Sequence, residues 1–296
     1  MNIGILSQSK EKELTGINRM TVAILAELQK IDNSNTYYFL GRSDWLNIDF
    51  DIIKILMTND GEIPLDYTIY SNQIDIVHSY YRPFRLNPNL HCGKILTIHD
   101  LRPLVHPEWG TRKDFNYFNE SVRRCAERAD IIMTVSEYTK RDIVEYYHIA
   151  EEKIQIIYPG LYPQTDMRKK IDGLENEQFF LSVAALDLNK NQGGLIKAYF
   201  AFRDLHPDHT FKLVLTGPVR NSEVVREILQ QHPEYTDDIV YTGYVSEEEL
   251  VWLYSKAEAF IYVSFYEGFG LPILEALSMG KAVICSNVTS MPEVGG

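Results

Sequence analysis

Residues 264–280 read Ser-Phe-Tyr-Glu-Gly-Phe-Gly-Leu-Pro-Ile-Leu-Glu-Ala-Leu-Ser-Met-Gly, and this segment carries two carboxylates, Glu267 and Glu275, around a glycine pair. Gly268 and Gly270 let the backbone come close to a ligand. An apolar run ends near Val263 and a helical stretch opens near Leu271, with Pro272 at its favoured first position. The N–H groups of Phe269, Gly270 and Leu271 at such a helix start, together with the helix dipole, suit a phosphate. Glu267 then lies beside whatever the phosphate carries, and Glu275, one turn into the helix, can accept hydrogen bonds from a ribose. The plainer alternative is that Glu267 caps a helix and Glu275 is surface charge.

The elements that would hold this segment recur along the chain. Asn2–Leu6, Tyr37–Leu40, Ile74–His78, Lys94–Ile98 and Ile131–Val135 read as strands. Thr21–Lys30, Phe115–Arg128 and Glu137–Tyr147 read as helices, with apolar residues returning every three or four positions. Ser136 stands where an N-cap belongs. A second series follows: strands Phe179–Ala184, Phe211–Thr216, Ile239–Thr242, Ala259–Val263 and Ala282–Cys285, and helices Gly193–Leu205, Ser222–Gln231, Ser246–Ala257 and Pro272–Met279. Strands alternating with helices imply parallel sheets with helices on both faces, an α/β doubly wound architecture whose ligands sit at the carboxyl ends of the strands. Tyr158–Gln178 reads as the linker. Residues 290–296 read as the start of a further loop, so a fragment of a longer protein is expected.

Bulk properties narrow the field. Apolar residues make up 45% and charged ones 24% of 296, the balance of a globular protein. A net charge of -12 argues against a chain that coats nucleic acid. The three cysteines, Cys92, Cys125 and Cys285, form no CxxC or Cys/His cluster, which points to a reducing cytosol rather than a disulfide scaffold or zinc site. No run approaches the roughly 20 apolar residues of a membrane span. The location expected is cytoplasmic, with any membrane contact peripheral at the inner face. No Asp-x-Asp lies near a strand end, so no metal is expected.

Several segments in this order resemble the retaining GT-B glycosyltransferases of family 4, marked by a Glu-x7-Glu motif at the position of Glu267 and Glu275. They are Gly16-Ile-Asn-Arg19, His99-Asp100-Leu-Arg-Pro-Leu104, Thr134-Val-Ser-Glu-Tyr-Thr-Lys140, Ile157-Tyr-Pro-Gly160, Leu181–Asn191, Tyr241-Thr-Gly-Tyr-Val-Ser246 and Ser290-Met-Pro-Glu-Val-Gly295. The resemblance implies two Rossmann-like domains facing across a cleft, an acceptor domain over 1–165 and an incomplete donor domain over 166–296. It implies that Lys190 places an ammonium on the donor diphosphate, and that His99, with Asp100 beside it, approaches the donor sugar. Gly16, in the loop after the first strand, brings backbone N–H groups to the diphosphate. Gly243, Tyr244 and Val245 hold the base, and Glu267 orients sugar hydroxyls. Without the resemblance, Lys190 is a solvated lysine and His99 a structural strand-end histidine. The implied substrates are a nucleotide-diphosphate sugar and a saccharide or lipid-linked acceptor, with no cofactor, no metal and no nucleic acid.

The family usually has an arginine at the position of Ala185 or Asn189, and this chain has none, leaving Arg220 as a candidate substitute. Arg82, Arg85, Arg102, Arg112, Lys113, Arg123 and Arg124, interleaved with Tyr80, Tyr81, Phe84, Trp109 and Phe115, read either as an acceptor or lipid-phosphate surface or as ordinary solvated helix faces. The alternatives to a transferase are a nucleotide-sugar epimerase of the same fold and an inactive nucleotide-sugar-binding remnant.

Overall fold

Parallel pairing of short apolar runs organises both halves of the chain, as seen in a computed structural model that describes residues 1–7, 16–41, 53–56, 69, 72–80, 91–161, 167–218 and 223–296. The chain divides into two units, Met1–Tyr162 and Pro163–Gly296. The expected domain boundary at 165/166 lies outside the described residues, as do Arg82, Arg85, Tyr81, Phe84 and Arg220.

Among the described residues of the first unit, the strands are β1 (Asn2–Ser7), β2 (Thr36–Gly41), β3 (Ile53–Leu56), β4 (Ile76–Ser79), β5 (Gly93–Ile98), β6 (Ile131–Thr134) and β7 (Ile154–Ile156). They form one parallel sheet in the order β3-β2-β1-β4-β5-β6-β7. The order reverses between β1 and β4, the kind of switch point that opens a crevice at the strand ends. Strands in such a sheet are covered on both faces and read as continuous apolar runs. Ile5, Leu6, Phe39, Leu40, Val77, Leu96 and Ile132 are accordingly buried. The sequence pattern missed β3 and β7.

The helix after β1 spans Gly16–Ile31, so Gly16 opens the helix instead of lying in a loop ahead of it. Ile17 and Met20 extend the apolar spacing of Ile24, Leu25 and Leu28 backwards, and a glycine is tolerated at the very end of a helix. The expected helix Phe115–Arg128 begins earlier, at Arg112, behind the capping box of Thr111 and Asp114, and passes through a π-helical turn at Tyr117–Val122 before ending at Arg128. Ser136 caps Glu137–Tyr147 as expected, accepting from Thr139 N at 3.1 Å.

In the second unit, β8 (Phe179–Val183), β9 (Lys212–Thr216), β10 (Ile239–Gly243), β11 (Ala259–Tyr262) and β12 (Ala282–Cys285) form a parallel sheet in the order β10-β9-β8-β11-β12. Its switch point lies between β8 and β11. The helices are Gln192–Leu205, Glu223–Gln231, Glu247–Lys256 and Leu271–Ser278. A short helix, Met291–Gly295, stands where a loop was expected, with Met291 fully buried in the core beside Ile273 and Tyr262. Among the described residues no helix is long and apolar enough to cross a membrane.

Gly217, directly after β9, sits at φ +141, and a Cβ there would stand 2.4 Å from Ala184 O on the loop after β8. Its N–H also donates to Gly243 O at 2.9 Å, tying three strand ends together. Gly217→Ala should therefore cost roughly 2–4 kcal/mol of stability in urea unfolding. A variant as stable as the parent would contradict this packing.

Candidate active site

The loops leaving β8 and β11 meet because their strands are neighbours. After β8 the chain forms a 3₁₀ turn, Leu188–Lys190, started by Asp187, whose side chain accepts from Leu188 N at 2.8 Å. Asn191 follows in the left-handed region and its Nδ2 donates to Val263 O at 3.2 Å. Phe265 N donates to Asn189 O at 2.8 Å. These bonds stitch the two loops and bring Lys190 to Glu267, far apart in sequence but at the carboxyl ends of adjacent strands.

Lys190 Nζ lies 2.5 Å from Glu267 Oε1, with the two side chains only 19% and 13% exposed. Tyr262, the last residue of β11, donates its hydroxyl to the same Oε1 at 2.8 Å. The ammonium also lies 3.5 Å from the Tyr262 hydroxyl and 5.9 Å from its ring centroid. Burial, and then the neighbouring Glu267 carboxylate, push the Tyr262 hydroxyl well above its ordinary range, so it stays a protonated donor at neutral pH. Both bonds converge on Oε1, and Oε2 has no hydrogen-bond partner among the described residues. The arrangement offers a ligand one cation and one carboxylate oxygen side by side.

Glu267 and Gly270 frame the loop into Leu271–Ser278. Gly270 is the N-cap at φ +111, a left-handed position suited to glycine. Pro272 falls in the second helical position and has no N–H, while Ile273 N donates to Gly270 O at 2.9 Å. Neither residue can donate to an anion, so any anion at this helix start falls to the amides that precede them, where Phe269, Gly270 and Leu271 were expected to donate. Glu275 is half-buried, and Tyr254 donates to its Oε2 at 2.8 Å, which orients the carboxylate. It is not free surface charge.

Asn189, where an arginine was missed, is buried at 2% exposure, with its Oδ1 unpartnered. Gly243 closes β10 at φ +69, Tyr244 beyond it is exposed, and Val245 packs on the core. Among the described residues no group of three or more His, Cys, Asp or Glu could hold a metal ion.

The first unit places its predicted residues at the ends of β4 and β5. His99 follows β5, and its Nε2 lies 2.7 Å from Tyr80 O. A carbonyl only accepts, so Nε2 carries the hydrogen. Burial lowers the His99 pKa, which keeps the ring neutral at pH 7 and leaves Nδ1 as an acceptor. Asp100 accepts from Arg102 N at 3.0 Å and shapes the turn into Arg102–Val105. Of the basic-aromatic residues, Tyr80 is buried and Arg123 donates to Tyr146 O at 2.6 Å, so neither belongs to a free surface. Arg112 and Lys113 are exposed. Tyr262, Tyr254 and Thr289 were not anticipated, and Ser290 was read only as the start of a segment that resembles the family. Tyr262 was hidden in an apolar run, where a tyrosine reads as core.

These two parallel-sheet units define a protein of the GT-B fold. Solved structures share it: Anabaena HepE in complex with UDP and glucose matches 99% of this chain and 82% of its own with a TM-score of 0.71 at 16% identity. WaaG, a glycosyltransferase involved in lipopolysaccharide biosynthesis, matches 99% and 83% with a TM-score of 0.68 at 14% identity. The family described as Glycosyl transferases group 1 matches residues 163–295, and Glycosyltransferase Family 4 matches residues 63–164. The O-antigen chain mannosyltransferase B of Escherichia coli is 32% identical over 229 residues, 74% of this chain and 58% of that protein. The O-antigen chain mannosyltransferase RfbU of Salmonella typhimurium is 31% identical over 202 residues, 68% of this chain and 54% of that protein. This chain thus spans less than two thirds of the length of either relative. It belongs to the group 1 glycosyltransferases of family 4.

Beneath His99, His78 on β4 is 8% exposed, with Nε2 2.8 Å from Thr97 Oγ1. Burial, then the neighbouring His99, lowers its pKa from 6.5 to about 4. The unfolded chain therefore binds the extra proton between these values. The stabilisation is full above pH 6.5 and is lost as pH falls toward 4, with a slope of up to about 1.4 kcal/mol per pH unit. His78→Gln should flatten the fall in urea stability across that window, and an unchanged slope would contradict the assignment.

Proposed function

We propose that this chain is a glycosyltransferase that moves a sugar from a nucleotide-diphosphate donor to a saccharide or lipid-linked acceptor in O-antigen or lipopolysaccharide-type polysaccharide synthesis. The observation that carries the reading is the Lys190–Glu267 pair at the switch point of the second sheet. A cation for a phosphate and a carboxylate for sugar hydroxyls stand side by side there. Mannose is the sugar favoured, because the relatives from Escherichia coli and Salmonella typhimurium are mannosyltransferases by name. The nucleotide is left to a panel, since HepE binds UDP.

Lys190 meets the charge that develops on the departing diphosphate, the kind of stabilisation that contributes most to transfer. With that charge met by an ammonium and the Leu271 amide, the reading needs no metal. Glu267 orients the sugar through hydroxyls, Glu275 faces the ribose with Tyr254 behind it, and Gly243, Tyr244 and Val245 hold the base. The roles of His99 and Gly16 toward the donor rest on the resemblance to the family alone. The chemistry retains the anomeric configuration, by front-face attack in which the departing phosphate takes the acceptor proton.

A panel of nucleotide-sugars with glycan acceptors tests this. A donor at a hundred times its Kd should add about 2.7 kcal/mol of thermal stability. Glu267→Ala should abolish transfer while the protein stays folded. Lys190→Ala should weaken donor binding by roughly tenfold to a hundredfold, the worth of about 1.5–3 kcal/mol for a lost charged hydrogen bond. Interconversion of the free donor sugar would indicate an epimerase instead, and no response to any donor would indicate an inactive remnant.

A further inference from the structure

Glu267 is held at its main chain as well as at its carboxylate. Its N–H donates to Thr289 Oγ1 at 3.2 Å, and its carbonyl accepts from Ser290 Oγ at 2.9 Å. The same Ser290 hydroxyl lies 2.9 Å from Phe269 O, so one proton serves two carbonyls of the loop. Two consecutive side chains from the segment after β12 thus take both main-chain polar groups of the proposed sugar-orienting residue.

Thr289 does this from φ +55, a left-handed conformation that β-branched residues rarely adopt. Glycine would fit that backbone without strain but would leave the Glu267 N–H without its acceptor. Strain of this kind persists only where the surroundings impose it. Here they do: Ser290 and Met291 are fully buried, and Met291 Cγ stands 3.8 Å from the place a Cβ would occupy on Gly270. The segment is pinned against the loop it holds.

The geometry points to Thr289 and Ser290 as positioning residues for sugar transfer, clamping the Glu267 main chain so that its carboxylate keeps its place through the reaction. This rests on the transferase reading above. Lys190 serves two anions on that reading, Glu267 before the donor arrives and the diphosphate afterwards. Once the ammonium turns to the diphosphate, Glu267 retains the Tyr262 hydroxyl and the clamp. The contribution of the clamp therefore falls on turnover and leaves donor affinity nearly unchanged.

The test compares Thr289→Gly, Thr289→Ser and Ser290→Ala with the parent chain and with Glu267→Ala. It measures kcat, nucleotide Kd, thermal midpoint and amide exchange at Glu267. Thr289→Gly should speed exchange at Glu267 and keep or raise the thermal midpoint, because the strain is relieved. It should also lower kcat about tenfold or more while the nucleotide Kd stays within about threefold. Thr289→Ser keeps the oxygen and should restore kcat to within about threefold of the parent. Ser290→Ala should lower kcat in the same way as Thr289→Gly.

Parent-like kcat in Thr289→Gly and Ser290→Ala, alongside an inactive Glu267→Ala, would overturn the clamp and leave the transferase reading standing. Parallel losses of kcat, nucleotide affinity and thermal midpoint would also overturn it, since they describe a merely structural contact. An active Glu267→Ala would overturn the site assignment and the clamp together.

Discussion

The second unit is organised around an ion pair that has little access to water. Lys190 and Glu267 leave water only because each supplies the other's partner and Tyr262 adds a third group to the same oxygen. A partly buried pair gains from Coulomb attraction but gives up hydration, so removing one member is costlier than the pair itself is favourable. On the proposed reading, the same balance readies the site for an anionic ligand. A diphosphate can replace Glu267 as the counter-charge of Lys190, and a sugar hydroxyl can replace the ammonium beside Glu267.

Parallel topology makes this meeting possible. β8 and β11 are neighbours although about eighty residues separate them, and every loop leaving the same edge of the sheet is delivered to one place. The close approach of those loops depends on left-handed backbone at chosen positions. Gly217 admits the Ala184 carbonyl, Gly270 admits Met291 and Ile273, and Asn191 turns its amide onto Val263. Thr289 accepts the same backbone region without being glycine, where a side-chain oxygen is also required.

The sequence displayed most of the strands, because buried parallel strands are continuous apolar runs, and most helices, because their apolar spacing and caps such as Ser136 are local. β3 and β7 escaped notice because Lys54 and Gln155 interrupt their short apolar runs. The π-helical turn at Tyr117–Val122 likewise leaves no mark on a pattern of apolar positions. Glu267, Gly268 and Gly270 stood out because glycines and charges at a strand end are out of place unless they meet something, whereas Lys190 stood out only through the resemblance to the family. The parts played by Tyr262, Tyr254, Thr289 and Ser290 did not. They depend on which segments the fold brings within hydrogen-bond reach, and a tyrosine in an apolar run or a Thr-Ser step in a loop carries no local sign of it.

The most direct measurement is the structure of the chain with a bound nucleotide-sugar. The diphosphate should lie within hydrogen-bond distance of Lys190 Nζ and the Leu271 amide. Glu267 should be released from the ammonium and hydrogen-bonded to the sugar, with Tyr262, Thr289 and Ser290 still holding it. A nucleotide bound elsewhere, with the Lys190–Glu267 pair intact, would contradict the account.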